Sequence, residues 1–159
     1  MKQLVLIRHG TAVKGGSFGD ICRPLKKTGV AEIIRTSAQL HNQKVSFSHI
    51  YSSPAARCYD TALVLATEFN MDFSRIHFLP ELYMCDSKTL LQVVGKFDNK
   101  QQRMCLVGHN PCLDEVIASL QFKEMYSMQK GDAMVLQSKA ATWSKFFDTA
   151  ELRHYLPLV

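Results

Sequence analysis

Short, mostly apolar segments recur along the chain, each bounded by polar or turn-forming residues. A run of this length between such boundaries is typical of a strand that is buried on both faces. The pattern predicts four inner strands, at Gln3–Ile7, His49–Ser52, Arg75–Leu79 and Met104–Val107. Two later segments are predicted to be paired outer strands, at Ala133–Gln137 and Thr142–Phe147.

The segments between the inner strands carry apolar residues at helical spacing. Thr28 can cap a first helix that runs to about Leu40. Ser53-Pro54 supplies a cap and a first-turn proline for a second helix. A third is predicted over Ser87–Phe97, and Asn110-Pro111 opens a fourth.

Strands that alternate with helices predict a mainly parallel sheet with helices on both faces. The 159 residues contain no repeat, linker or low-complexity stretch. We therefore expect one α/β domain over residues 1–159, built as a three-layer α/β/α sandwich.

Composition and charge narrow the possible partners. The chain is 47% hydrophobic and 21% charged, as in ordinary globular proteins. Its formal net charge of +5 favours an anionic partner. The cations are scattered, however, with Lys26-Lys27 the one basic doublet, and no aromatic residues interleave with them. We do not expect a nucleic acid partner.

The compartment is predicted from what the chain lacks. No apolar run is long enough for a secretory signal or a membrane helix, so we expect a cytoplasmic protein with no membrane partner. The five cysteines show no close pairing motif and are expected to be reduced. No metal-ligand motif is present, and neither a metal nor another cofactor is expected.

Chemically reactive residues follow the predicted strands. Arg8 and His9 come directly after the first strand, and His109 follows the fourth. Arg57 lies in the first turn of the helix after the second strand. Because ligands bind beyond the carboxyl ends of parallel strands, these four side chains are expected to meet.

Two arginines and two histidines together suit a phosphoryl group. Guanidinium groups bind phosphate oxygens bidentately and offset charge in the transition state. A neutral imidazole can attack phosphorus and form a covalent intermediate that water resolves. A second, protonated imidazole can donate a hydrogen bond to the oxygens as charge builds there.

These motifs resemble those of the histidine phosphatase superfamily. The similar features are Arg8-His9-Gly10, Ser53-Pro54 with Arg57, and Gly108-His109, in this order and spacing. Further details resemble the short bacterial phosphohistidine phosphatases of the SixA type, namely Arg23-Pro24-Leu25, Gly29 and Leu79-Pro80-Glu81-Leu82. The resemblance covers nearly the whole chain and implies a phosphoglycerate-mutase-like fold.

The resemblance also implies a role for each matching residue. His9 is the expected nucleophile, Arg8 and Arg57 bind phosphate, and His109 binds phosphate and stabilises the transition state. Glu81 stands where phosphomonoesterases of the superfamily carry a proton donor, although a solvated loop carboxylate is an equal alternative. Arg23 is a candidate for a further phosphate contact.

The chain departs from the family pattern in two places. Gly16 and Ser17 stand where many members carry an asparagine that contacts phosphate. Only 22 residues, Leu82 to Arg103, lie between Glu81 and the fourth strand, where larger members insert a long flap. We therefore expect a shallow, open site.

An open site favours hydrolysis of phosphohistidine on a protein, such as a histidine-containing phosphotransfer domain. A phosphomonoesterase for small metabolites is the alternative, with the same residues. A mutase is a weaker interpretation, because holding a bisphosphate intermediate needs a closed site. A non-catalytic module that binds phosphorylated partners would need the arginines but not His9.

Overall fold

Six strands form one sheet in the computed structural model, which describes residues 1–158. In chain order they are β1 (Lys2–Arg8), β2 (His49–Ser52), β3 (Ile76–Phe78), β4 (Arg103–Gly108), β5 (Ala133–Ser138) and β6 (Ala150–Leu156). Across the sheet the order is β3-β2-β4-β1-β5-β6. The first four strands pair in parallel, while β5 and β6 are antiparallel to their neighbours. The predicted mainly parallel α/β sheet is confirmed.

Helices cover both faces of this sheet. The α-helices are α1 (Lys27–Asn42), α2 (Ala56–Glu68), α3 (Ser87–Gly95) and α4 (Cys112–Ser119). Apolar residues of α1 and α2 pack on one face, and those of α3 and α4 pack on the other. The three layers match the prediction. None of the helices among residues 1–158 is both long and apolar enough to cross a bilayer.

The central strand β1 explains why two cores form. Side chains of a strand alternate between the two faces of its sheet. Leu4 and Leu6 accordingly join the core under α3 and α4, whereas Val5 and Ile7 join the core under α1 and α2. All four side chains are fully buried, so a polar residue at any of them would be costly.

The predicted outer strand at Thr142–Phe147 is wrong. This segment belongs to a 3-10 helix at Trp143–Thr149, and the outer strand β6 begins only at Ala150. Trp143 and Phe146 are both buried, and their spacing of three residues matches the period of a 3-10 helix. The indole N–H of Trp143 also donates to the carbonyl oxygen of Gln101, at 2.9 Å.

Two helices begin at residues other than those predicted. Helix α1 begins at Lys27 rather than after Thr28, and α2 begins at Ala56 rather than at Ser53-Pro54. The backbone N–H of Ser53 still donates to the Val107 carbonyl oxygen of β4, at 3.2 Å. Ser53 is therefore still hydrogen-bonded to the sheet, and α2 begins only at Ala56.

The strand register brings the functional segments together. Arg8 pairs with Gly108 across β1 and β4, and Ser52 pairs with Val107 across β2 and β4. The three parallel strands thus end at one level of the sheet. Their following loops, with the segment that leads into β5, form one edge.

Candidate active site

A cavity of about 600 Å³ lies at the edge where the parallel strands end. Five of the six residues singled out from the sequence line it: Arg8, His9, Arg23, Arg57 and His109. The sixth, Glu81, does not. The expected convergence of two histidines and two arginines is therefore present in the structure.

The cavity is strongly cationic. Six cationic side chains line it, and Asp20 is the single carboxylate among the lining residues. The six are Arg8, Lys14, Arg23, Lys26, Arg57 and Lys130. Such a surplus of positive charge attracts phosphate-bearing ligands from solution.

Two glycines fix the path of the loop after β1. A Cβ atom on Gly10 would lie 2.7 Å from the carbonyl oxygen of Gly29, closer than side chains are found. A Cβ atom on Gly29 would in turn overlap the backbone of Thr11. The loop therefore lies directly on the first turn of α1, and this close approach sets the position of His9.

The ring of His9 is held in one tautomer. Its Nδ1 lies 2.8 Å from the carbonyl oxygen of Gly10, which can only accept, so Nδ1 carries the proton. The Nε2 atom then carries the lone pair, and Arg57 Nε donates to it at 3.3 Å. Burial, with smaller contributions from Arg57, Arg8 and Lys130, lowers the pKa of His9 to about 4. At neutral pH the imidazole is uncharged and nucleophilic at Nε2.

The second histidine lies beside the first. The rings of His9 and His109 are 5.2 Å apart between centroids, and His109 Nε2 lies 2.8 Å from Ser53 Oγ. Burial, followed by the nearby His9 and Arg57, lowers the pKa of His109 to about 3. The ring is therefore neutral in the free site. To donate as an imidazolium it must gain a proton when a phosphate anion binds.

Both arginines line the cavity, and hydrogen bonds to the protein hold their guanidinium groups in place. Arg8 donates from a terminal nitrogen to the Met128 carbonyl oxygen at 2.7 Å, while its buried Nε has no partner among the described residues. Arg57 is only 6% exposed and is anchored by Asp20. Guanidinium groups that line a cavity in this way can bind phosphate oxygens bidentately.

Asp20 connects the cationic residues of the site. Its Oδ2 accepts from Arg57 and from the Tyr83 hydroxyl, both at 2.9 Å, and its Oδ1 accepts from Arg23 Nε at 2.9 Å. Its backbone oxygen accepts a further bond from Arg57, also at 2.9 Å. Burial alone would raise the pKa of Asp20, but hydrogen bonds from Tyr83, Arg23 and Arg57 outweigh it and lower the pKa to about 2.

Asp20 is the site residue that the sequence argument missed. A signal was present, since Asp20 is the one acidic residue among the first 31, which also contain six lysines and arginines. A lone carboxylate in a basic segment often pairs with several of its neighbours. Tyr83, which follows the Leu79-Pro80-Glu81-Leu82 motif and donates to Asp20, was also not predicted.

Glu81 is not among the residues that line the cavity. It is an exposed residue of the 3-10 turn Pro80–Leu82. Gly16 and Ser17 are also exposed and do not line the cavity, so no side chain there replaces the family's asparagine. Arg23 lies partly buried on the cavity wall, with a further bond to the Val13 carbonyl oxygen at 3.0 Å.

Within residues 1–158, no long insertion follows Glu81 that could form a flap over the cavity. Between the turn at Pro80–Leu82 and β4, the chain forms only helix α3 as regular structure. Met84, on the cavity wall, is 79% exposed. Among residues 1–158, no three histidine, cysteine, aspartate or glutamate side chains are grouped so that they could hold a metal ion.

The sheet and its cationic cavity place the protein among α/β proteins whose ligand site lies beyond the carboxyl ends of the strands. Within that class, the family model for the histidine phosphatase superfamily (branch 1) matches residues 4–104. The chain belongs to this superfamily, whose members are phosphatases. The match ends five residues before His109, so its placement beside His9 is a finding of the structure alone.

Solved structures share the fold over almost the whole chain. SixA from Agrobacterium tumefaciens is 23% identical with a TM-score of 0.82, and the alignment covers 99% of this chain and 98% of that one. The protein histidine phosphatase SixA in complex with tungstate is 20% identical with a TM-score of 0.82, covering 98% and 96%. The α-ribazole phosphatase from Shigella flexneri is 18% identical with a TM-score of 0.70, covering 97% and 96%. Among proteins with curated functions, none matches this chain.

Proposed function

We propose that the protein removes the phosphoryl group from phosphohistidine on another protein, such as a histidine-containing phosphotransfer domain, with His9 as the nucleophile. Its Nε2 lone pair attacks phosphorus, and the bond between phosphorus and the substrate imidazole breaks. The departing imidazole takes a proton. Water then attacks the phosphoryl group on His9, which releases inorganic phosphate and restores the free ring.

The arginines hold the phosphoryl group in this mechanism. In the free site, Arg57 Nε donates a hydrogen bond to His9 Nε2. When His9 Nε2 attacks phosphorus, Arg57 Nε donates to a phosphate oxygen instead. Arg8, which also lines the cavity, supplies a second guanidinium group to the phosphoryl oxygens. His109 gains a proton with the bound anion and donates to an oxygen as negative charge develops. Arg23 is a peripheral contact for the same group.

The observation that carries the substrate proposal is that the described residues lining the cavity include no carboxyl group free to donate a proton. Asp20 is the single carboxylate there, and with its pKa at about 2 it is ionised and already accepts several hydrogen bonds. An alkyl phosphate expels an alkoxide, which needs a proton donor worth on the order of 10²–10⁴-fold in rate. An imidazole leaves readily because it is protonated near neutral pH. The site is therefore better suited to phosphohistidine.

The missing flap supports a protein substrate. A phosphohistidine on a protein surface must approach His9 together with the surface around it, and an open cavity admits this. The structural likeness to a protein histidine phosphatase, which was solved with the oxyanion tungstate, agrees with such a substrate.

A small-molecule phosphomonoesterase is the second candidate. A cavity of about 600 Å³ lies within the range that binds small ligands, roughly 300–1,000 Å³. In that case Glu81 would have to reach the leaving group through movement of its turn.

A substrate panel separates the two candidates. Phosphate release is measured from a phosphohistidine-bearing phosphotransfer domain, an aryl phosphate and an alkyl phosphate. We expect the highest kcat/KM on the protein and the lowest on the alkyl ester. His9→Ala should abolish release from all three, while the matched control His154→Ala, on β6 outside the cavity lining, should retain it. An alkyl phosphate as the best substrate would overturn the proposal in favour of the second candidate.

A further inference from the structure

Two cysteines lie in contact at the mouth of the cavity. The sulfur atoms of Cys85 and Cys112 are 3.2 Å apart, although 27 residues separate them in the chain. Cys85 is half-buried in the segment that follows the 3-10 turn, and Cys112 is the buried first residue of α4. Both line the same cavity as His9 and His109.

We propose that Cys85 and Cys112 are a site of reversible oxidation, at which a peroxide converts the two thiols into a disulfide and thereby inactivates the adjacent phosphatase site. A disulfide bond is about 2.05 Å long, so the sulfurs need to approach by roughly 1 Å. Cys85 lies between the 3-10 turn and α3, and Cys112 is the first residue of α4, so neither is held within a strand or a helix interior.

The surroundings favour Cys85 as the thiol that reacts first. It is the more exposed of the two, and the hydrogen bond from the Cys112 thiol lowers the pKa of Cys85. The same contact raises the pKa of Cys112, which therefore stays protonated. Burial and the carboxylates of Asp86 and Glu115 act against ionisation of Cys85.

The chemistry is balanced with peroxide as the oxidant. The Cys85 thiolate attacks one peroxide oxygen, which forms a sulfenic acid and releases hydroxide. Once Cys85 is a sulfenic acid, its thiolate no longer raises the pKa of Cys112. Cys112 then passes its proton to the sulfenic oxygen as its sulfur attacks the sulfenic sulfur, so that the disulfide forms and the oxygen leaves as water. Overall, two thiols and one hydrogen peroxide give one disulfide and two waters. A thiol reductant reverses the change by thiol–disulfide exchange.

The remaining cysteines lack this arrangement. Cys22 is exposed, while Cys58 and Cys105 are buried, and burial raises the pKa of both, in Cys58 to about 12. Within the described residues, none of these three has another sulfur within hydrogen-bond distance. Selective oxidation at the paired cysteines follows from this difference.

A disulfide between Cys85 and Cys112 would displace two segments that carry residues of the candidate active site. Cys112 lies three residues after His109, and Cys85 lies two residues after Tyr83, whose hydroxyl donates to Asp20. Drawing the two segments together displaces both. A misplacement of about 1 Å can cost on the order of 10²-fold in rate, so we expect at least a tenfold loss of kcat.

The test uses the full chain with Cys22→Ser, which removes the exposed unpaired thiol. The protein is treated with hydrogen peroxide, the remaining thiols are alkylated, and a peptide map is recorded. We expect loss of two hydrogen atoms and a peptide that links Cys85 to Cys112. Activity on an aryl phosphate should fall at least tenfold and return with dithiothreitol. The linked peptide does not depend on the proposed substrate.

Two further variants, Cys85→Ser and Cys112→Ser in the same background, show whether the pair causes the inactivation. Each is compared with itself before and after peroxide, and each should keep its own activity through the treatment. The proposal is overturned if both thiols are still alkylated after peroxide, or if the serine variants lose activity as the paired protein does. The peptide map remains decisive if a serine variant folds poorly.

Discussion

Replacing Asp20 by asparagine should separate catalysis from anion binding. The change keeps the size of the side chain and the backbone bond to Arg57, but it removes the carboxylate that lies 2.9 Å from the Arg57 guanidinium. Arg57 then loses the group that fixes its orientation beside His9. We expect a lower kcat, because Arg57 reaches the transition state less well aligned.

The size of the effect follows from the geometry. A hydrogen bond to a charged group contributes about 1.5–3 kcal/mol when it is shielded from water. The Asp20 side chain is 47% exposed, so solvent weakens the bond to the lower end of that range or below. About 1.4 kcal/mol corresponds to a factor of roughly ten, and kcat should fall by about that amount.

Phosphate binding should change in the opposite direction. Loss of the single carboxylate of the cavity lining increases its positive charge, so the inhibition constant for inorganic phosphate or vanadate should decrease. Steady-state kinetics on an aryl phosphate, with phosphate as inhibitor, measures both quantities. Asp148→Asn, which removes an exposed ion pair to Lys145 at 3.4 Å, is the matched control and should change neither. An unchanged kcat in Asp20→Asn would refute the positioning role.

Three further predictions follow from the site. Glu81→Gln should leave hydrolysis of both an alkyl phosphate and a phosphohistidine protein nearly unchanged, because Glu81 lies outside the cavity lining, and a selective loss on the alkyl phosphate would favour the phosphomonoesterase. Activity should survive strong chelators, because Arg8 and Arg57 supply the charge that a metal would bring; loss on EDTA with rescue by a divalent ion would contradict this. Since the pKa of His9 is lowered from 6.5 to about 4, the unfolded chain binds the proton first as the pH falls. As the pH falls from about 6.5 to about 4, the free energy of unfolding of the native chain should therefore decrease by about 3 kcal/mol more than that of His9→Gln. Urea titrations at each pH measure this difference.

The sheet could be predicted from the sequence because most of its strands are short apolar runs bounded by polar or turn-forming residues. His49–Ser52 was predicted with its observed bounds, and β1 and β4 differ from prediction only at their ends. The prediction of a strand at Thr142–Phe147 was wrong because aromatic residues at a spacing of three occur in both strands and helices. Its structure depends on the partner that buries Trp143, and that contact is not local.

The convergence of the candidate catalytic residues was predictable from the sequence, whereas their supporting contacts were not. Arg8 ends β1, and His9 and His109 directly follow β1 and β4, so the topology alone brings them together. Asp20 lies in an exposed turn, and its bonds join segments 37 and 63 residues away, at Arg57 and Tyr83. Such a contact depends on how the loop folds over α2. The sequence showed only an unusual acid in a basic segment.

The most direct test of the account is to trap the phosphorylated enzyme. The protein is mixed with radiolabelled phosphohistidine protein, quenched within its first turnover and digested for peptide mapping. We predict one label that is labile in acid and stable in base, on the peptide that contains His9, and no label in His9→Ala. A label that is stable in acid and maps to a serine, such as Ser53, would contradict the central claim.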